Sequence, residues 1–358
     1  MANWSWRNKL PSVHDYRTTA RARNENERIV CVLNPKAAAG SAGDRQPELR
    51  RAVDRAFVHG EVVVSEGPGH ATELARQAIR DGADIVAAVG GDGTCNEVVN
   101  GFFENGKLIR RTVSFSIIPW GTGSDLAKSL RAPAGIEDAL WVASTGMTLP
   151  TDAGIARFQF ETGVEERVFL NVAGFGANGD VVHRANTGSK RFGGRATFLQ
   201  ATVGSIMGYR AQRTRLTWEG PDGPGDWEGE LFSAFVANGH YCGGGMHMGR
   251  GGSMHDGLLD LTIIPELGTA RLMASTWRLY DGSAHEIGGV RRVQIRSLKA
   301  ENLGEDRMLI DLDGEQPGWL SAEFRCVERQ LQVRGGWLRS PLLEHNREVW
   351  DGRGFRKT

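Results

Sequence analysis

The chain has 358 residues, equal numbers of basic and acidic side chains (43 of each) and 40% hydrophobic residues. This length exceeds one ordinary domain and can bury two cores, and the balanced charge names no polyanionic partner. Cys31, Cys95, Cys242 and Cys326 lie far apart with no CxxC, no apolar run reaches the ~18 residues of a membrane-spanning helix, and no signal-peptide pattern opens the chain, so reduced thiols in the cytoplasm are expected.

Residues 1–28 read as a polar amino-terminal arm with Trp4 and Trp6 near its start, either unstructured or a membrane-surface anchor. From 29 to 150 strand and helix signals alternate. Strands are expected at Ile29–Leu33, Glu61–Val64, Asp84–Val89 and Val113–Ile118, with a helix over Ala71–Arg80 whose Ala71, Leu74, Ala75, Ala78 and Ile79 form one apolar face. Valine- and isoleucine-rich strands separated by helices predict a parallel sheet covered on both sides. From 151 to 340 the rhythm changes. Strands are expected at Ile155–Phe160, Val168–Val172, Arg215–Trp218, Leu231–Ala237, Leu258–Ile264, Val293–Ile295, Met308–Leu312 and Gln330–Val333, which predicts a mainly antiparallel sandwich. Helical insertions are expected near Thr197–Tyr209 and Thr269–Tyr280, and residues 341–358 read as a surface helix or tail that could fold back on the first domain.

The most informative segment is Gly90-Gly91-Asp92-Gly93-Thr94, between the strand ending at Val89 and a helix expected over Cys95–Phe103. Glycines at such a turn let backbone approach a ligand, and the amides of the new helix favour an anion. An aspartate there makes sense if a divalent cation lies between carboxylate and phosphate, which points to a nucleoside triphosphate and phosphoryl transfer. Thr94 and Glu97 have the spacing of a capping box, and Thr122 and Asp125 repeat it after the next strand. Asn34-Pro35-Lys36 through Gly43 forms a third glycine-rich turn, although neither GxxxxGK[ST] nor a proper GxGxxG occurs. Three such turns at successive strand ends of one sheet predict a phosphate crevice.

In the second half, Met254-His255-Asp256-Gly257 leads into a strand and Asp311-Leu312-Asp313-Gly314-Glu315 closes one. Asp313 and Glu315 read as paired acids for taking a proton from a hydroxyl, or as an acidic β-turn. His240, Cys242, His247 and His255 crowd one glycine-rich stretch, but their spacing fits no zinc pattern. From Val181 to Trp218 there is no acid, while Arg184, Lys190, Arg191, Arg195, Arg210, Arg213 and Arg215 flank an apolar stretch. This reads as docking on an anionic bilayer or as a core helix with solvated arginines; aromatics are not interleaved with the cations, which disfavours nucleic acid.

Taken in order, Asn34-Pro35, GGDGTCNEVVNG (Gly90–Gly101), IIPWGTGSDLA (Ile117–Ala127), Asp152, NVAGFGANGDVV (Asn171–Val182), GGGM (Gly243–Met246), DGLLDL (Asp256–Leu261) and LDGE (Leu312–Glu315) resemble the diacylglycerol kinase catalytic-domain family, in particular its bacterial lipid kinases, which are related to sphingosine and ceramide kinases. The resemblance implies an NAD kinase/diacylglycerol kinase-like α/β domain and a β-rich lipid-substrate domain. It implies ATP contacts at Asn34, Ser65, Gly90, Gly91, Asp92, Gly93, Thr94, Asn96 and Thr122. It also implies Glu315 as proton acceptor, Asp313 and Asp92 as acidic partners near the reacting phosphate and Mg2+, and a second magnesium site at Asp256 with backbone oxygens of Ser253 and Leu258. Ser124 stands where the family usually has asparagine, and the proline usual before Asp256-Gly257 is missing.

The resulting expectation is an ATP- and Mg2+-dependent kinase acting on a hydroxyl of a membrane lipid, diacylglycerol first, in the cytoplasm and peripheral to the inner face of the membrane. Homodimerisation stays open. A sphingoid or ceramide kinase, a soluble-substrate kinase of the NAD-kinase type, and a non-catalytic nucleotide-binding module at a membrane are the alternatives.

Overall fold

Four parallel strands order the first half of the chain. They are β1 (Asn24–Leu33), β2 (Phe57–Val64), β3 (Ile85–Gly90) and β4 (Ser114–Pro119), side by side as β2-β1-β3-β4. The computed structural model describes residues 23–120, 125–145, 148–187, 204, 208–249, 253–268, 270–272, 277–335, 348–350 and 355–357. Alternate side chains of β1 and β3 point to opposite faces, as the two-residue strand period requires. Val30, Val32, Val86 and Ala88 meet α2 (His70–Arg80) and α3 (Asp92–Gly101) on one face. Ile29, Cys31, Leu33, Ile85, Ala87 and Val89 meet α1 (Gln46–Ala56) and α5 (Ile136–Thr145) on the other; a short α4 (Asp125–Ser129) follows β4. Each fully buried aliphatic side chain contributes about 1.5–3 kcal/mol, so this two-sided burial accounts for the near-continuous apolar runs in the strands.

The second half is built from β5 (Thr148–Phe160), β6 (Gly163–Phe169), β7 (Val172–Gly176), α6 (Ala177–Thr187), β8 (Gln212–Gly220), β9 (Gly223–Ala237), β10 (Leu259–Pro265), β11 (Arg291–Ile295), β12 (Ser297–Asn302), β13 (Ile310–Leu312) and β14 (Trp319–Arg334). Their pairings with one another are antiparallel, around a core that includes Phe158, Phe169, Phe175, Leu216 and Phe324. The far end of β14 returns to the first half. Gln332–Arg334 pair in parallel with Ser114–Ser116 of β4, so all fourteen strands belong to one hydrogen-bonded network. Arg334 is also ion-paired with Glu27 of β1 and donates to the Ala143 carbonyl at 2.6 Å.

Several sequence expectations change. The first strand begins at Asn24, inside the stretch expected to be arm, because Asn24 already pairs with Phe57. The single strand expected at Val168–Val172 is two strands, broken at Leu170–Asn171 where the amides turn to a distant carboxylate. Helix α3 begins at Asp92, three residues early, with Gly91 as N-cap and an acid in the first turn. The capping box at Thr94 does not form, since Thr94 lies inside the helix. Glu97 instead accepts from the Ala71 amide at 3.2 Å and caps α2. Where a carboxy-terminal helix or tail was expected, Glu348–Trp350 and Phe355–Lys357 pair as a small antiparallel hairpin. The insertion near Thr197–Tyr209, most of the basic stretch, Thr122 and residues 1–22 lie largely or wholly outside the described residues. Among the described residues, no helix is long and apolar enough to cross a membrane.

Candidate active site

The carboxyl ends of β1, β2, β3 and β4 open on one side of the parallel sheet, where such sheets bind ligands. At the end of β1, the Asn34 side chain donates to Thr94 Oγ1 at 3.1 Å, and its oxygen accepts the Lys36 amide at 2.9 Å. Ser65 follows β2, buried, with its amide on the Leu33 carbonyl at 2.9 Å. The Thr94 side chain occupies the space where Gly90 would carry a Cβ, whereas open space surrounds the corresponding position of Gly91. The α3 amino terminus therefore presents unobstructed backbone toward the crevice.

Asp92 bridges two of these turns. Its carboxylate accepts the amides of Asp125 and Leu126, at 3.1 and 3.0 Å, which fastens the first turn of α4 to the first turn of α3. Burial, helped by nearby Asp125 and Asp313, pushes its carboxyl up to about 6, against the pull of the two amides. A divalent cation beside this carboxylate would favour its charged form, and a hard oxygen donor suits Mg2+. The residues present at this end of the crevice therefore fit a magnesium–nucleotide complex.

The second half contributes the turn Leu312-Asp313-Gly314-Glu315. Asp313 and Gly314 both have positive φ, +52° and +91°, and Leu312 and Glu315 exchange backbone hydrogen bonds at 2.8 and 3.0 Å. These are the marks of a primed two-residue turn, which Asp-Gly favours. The two acids of the turn differ in burial. Asp313 is buried and accepts from Asn96 Nδ2 and from the amides of Leu170, Asn171 and Val172 at 2.8–3.0 Å. Burial pushes its carboxyl upward and these donors oppose that shift. Glu315 is exposed and lies over α3: a Cβ on Gly93 would stand 2.6 Å from Glu315 Oε1. The acidic β-turn that the sequence offered at these residues is therefore formed.

Asn34, Ser65, Gly90, Gly91, Asp92, Gly93, Thr94 and Glu315 are brought to this crevice. Asn96 sits behind it, its amide spent on Asp313 and on the Val168 carbonyl at 3.0 Å. The Asp256 group is elsewhere. Its carboxylate accepts the amides of Ser253 and Leu258, at 3.2 and 3.1 Å, so the two residues expected to offer carbonyl oxygens to a cation meet it with N–H groups. The following Gly257 amide goes to Asp152, which also takes the Arg329 amide. Among the described residues, no three His, Cys, Asp or Glu side chains are gathered as a cation site.

Asp125, read only as a capping partner, and Asn100 and Asn171, given no role by the sequence, join the halves, while Asp311 braces the acid turn from within the second. Asp125 accepts Lys128 Nζ at 2.6 Å and the Gly244 amide at 2.7 Å, tying α4 to the triple-glycine turn. Asn100 on α3 bonds both the N–H and the C=O of Val168, each at 2.9 Å. Asn171 accepts from Ser129 Oγ at 3.1 Å. Asp311 is fully buried beside the acid turn, and burial pushes its carboxyl up to about 7. These positions lay within the quoted motifs, but pairings across 42 to 133 residues leave no local signal. The basic stretch is less free than its sequence suggested. Arg184 pairs with Asp180, and Arg213 and Arg215 both pair with Glu228, while Arg210 is exposed.

A parallel sheet whose strand ends open beside a carboxylate from an antiparallel half is an arrangement suited to phosphoryl transfer. Residues 28–156 match the family described as Diacylglycerol kinase catalytic domain, and residues 171–335 match the YegS C-terminal NAD kinase beta sandwich-like domain. The chain thus carries a diacylglycerol kinase catalytic domain followed by a YegS C-terminal domain and is a kinase, which implies a nucleotide donor. It is similar to a protein of Xanthomonas oryzae named probable lipid kinase YegS-like, with 29% identity over 80% of this chain and 91% of that protein. It is also similar to the diacylglycerol kinase of Bacillus subtilis, with 26% identity over 74% of this chain and 82% of that one. A crystal structure of a putative diacylglycerol kinase from Bacillus anthracis shares the fold, with a TM-score of 0.68, 21% identity, and coverage of 87% of this chain and 97% of that chain.

Proposed function

We propose that the chain transfers the γ-phosphoryl group of ATP to a hydroxyl of a membrane lipid, with diacylglycerol as first candidate. The observation that carries this reading is the approach of Glu315 to Gly93, the residue after Asp92, in the first turn of α3 at the open end of the parallel sheet. In this reading the amides around Gly91 hold the phosphates, and Asn34 and Thr94 brace the neighbouring turns. Magnesium held by Asp92 would neutralise charge on the phosphates. Glu315 takes the proton of the lipid hydroxyl. The hydroxyl oxygen then forms its bond to the γ-phosphorus as the bond to the β,γ-bridging oxygen breaks and ADP leaves.

The lipid acceptor is supported by the matched catalytic domain and by the relatives, one named a diacylglycerol kinase and others probable lipid kinases. Exposed Arg210 and the cations at Lys190, Arg191 and Arg195 support peripheral contact with an anionic inner-leaflet surface. Incubation with γ-labelled ATP, Mg2+ and a total lipid extract tests the reading. A labelled lipid that comigrates with phosphatidic acid is the expected result. Label confined to a water-soluble acceptor would replace this reading with the NAD-kinase type, and ATP binding with no labelled acceptor would overturn catalysis.

A further inference from the structure

The turn that carries Glu315 is gripped from outside the crevice by α6. Asn178, in the first turn of that helix, donates through Nδ2 to Asp311 Oδ2 at 2.7 Å. The other oxygen of Asp311 accepts the Gly314 amide at 2.8 Å. Gly314 is the residue immediately before Glu315. Asn178 and Asp311 are both buried. The close approach depends on two missing side chains: a Cβ on Gly174 would collide with the Asn178 amide, and one on Gly179 would collide with the Leu309 carbonyl. Farther along α6, His183 and Gln316 face each other across 3.3 Å, so the helix holds the loop on both sides of Glu315.

We infer that Asn178 and Asp311 are positioning residues for the Glu315 carboxylate, acting through the Gly314 amide. This rests on the reading of Glu315 as proton acceptor. A carboxylate is the acceptor that can take both donors at once, one on each oxygen. With Gly314 pinned by its amide, the turn has one orientation and Glu315 stays above Gly93. Without the pin the turn keeps Asp313 anchored but loses its hold on the far side. The expected loss therefore falls on turnover and not on nucleotide affinity.

The test is a donor–acceptor swap. Asn178→Asp sets two carboxylates against each other and should lower kcat tenfold or more, with KM for ATP changed less than threefold. In Asn178→Asp with Asp311→Asn the amide at 311 donates to the new carboxylate while its oxygen still accepts from Gly314, so kcat should return to within threefold of the parent. Hydrogen exchange of the peptide spanning 311–316 should speed up in the single variant and recover in the double. A pair that merely holds the fold together would lower the folded fraction and leave the rate per folded molecule unchanged. That result, or a folded double variant that does not recover, overturns the inference. Should Asn178→Asp fail to fold, Asn178→Ala carries the same comparison, with a smaller fall in kcat expected and an unchanged kcat refuting. If the parent protein labels no lipid, the reading of Glu315 fails, and exchange of 311–316 still reports whether the pair fixes the turn.

Discussion

Two of the Asp-Gly turns in the antiparallel half look alike in sequence and use their carboxylates in different ways. Asp256 closes on its own loop, with both oxygens taking amides two or three residues away. Asp313 is held by elements about 140 and 217 residues distant, and the turn it anchors delivers a second carboxylate to the other half of the molecule. A carboxylate saturated by its own loop shapes that loop. A carboxylate tied to distant elements fixes how two halves meet, and its neighbour in the turn reaches the first turn of α3.

Asp92→Ala is the largest expected break in this comparison. It removes the proposed partner of the metal and phosphates, and phosphoryl transfer should fall about 10³-fold or more in a labelled-ATP assay. Loss of the two α4 amides should also cost about 1–2 kcal/mol in a urea titration. Asp313→Asn comes next. An amide cannot accept from all four donors, so about 3 kcal/mol of stability should be lost, read as a lower urea midpoint. Gly93→Ala separates activity from stability. The new methyl displaces the flexible end of Glu315 while alanine favours the helix, so kcat should drop about tenfold with an unchanged or slightly higher melting temperature.

Stability should also depend on pH. The unfolded Asp311 carboxyl loses its proton near pH 4, whereas the folded one keeps it to about 7. The folded state binds more protons in that window. Stability from this group therefore falls as pH rises from about 4 to about 7, by at most about 1.4 kcal/mol per pH unit, and is flat above. Asp92 and Asp260, both raised to about 6, act with the same sign up to that pH. Urea titrations of the parent and Asp311→Asn should show a shallower slope in the variant. The smallest effect is expected at Asp256→Asn: less than about 1 kcal/mol in stability, less than threefold in kcat, and the same response of melting temperature to chelator as the parent. A melting temperature that responds to Mg2+ only when Asp256 is present would restore the second metal site implied by the resemblance.

The fold was legible where burial is two-sided. The runs ending at Leu33, Val64, Val89 and Ile118 are apolar because helices cover both faces, and each is a strand. Among strands with one exposed face, two were missed although β8 was read at Arg215–Trp218. In β6 Glu165, Glu166 and Arg167 interrupt the apolar pattern, and in β12 only Leu298 and Ala300 face the core. The break between β6 and β7 had no local cue, because its cause is Asp313, more than 140 residues away. At the site, glycine turns and acids could be read one loop at a time. The use of Asn96, Asn100 and Asp125 as ties arises only when the two halves pack, and that of Asn178 only when α6 packs on the acid turn.

The most direct test of two halves converging on one reaction is the single-turnover rate of Glu315→Gln at saturating ATP and lipid. The substitution keeps size and hydrogen bonding while removing the base, so the rate should fall 10²–10⁴-fold with ATP affinity preserved. A variant that transfers phosphoryl at the parent rate would contradict the account.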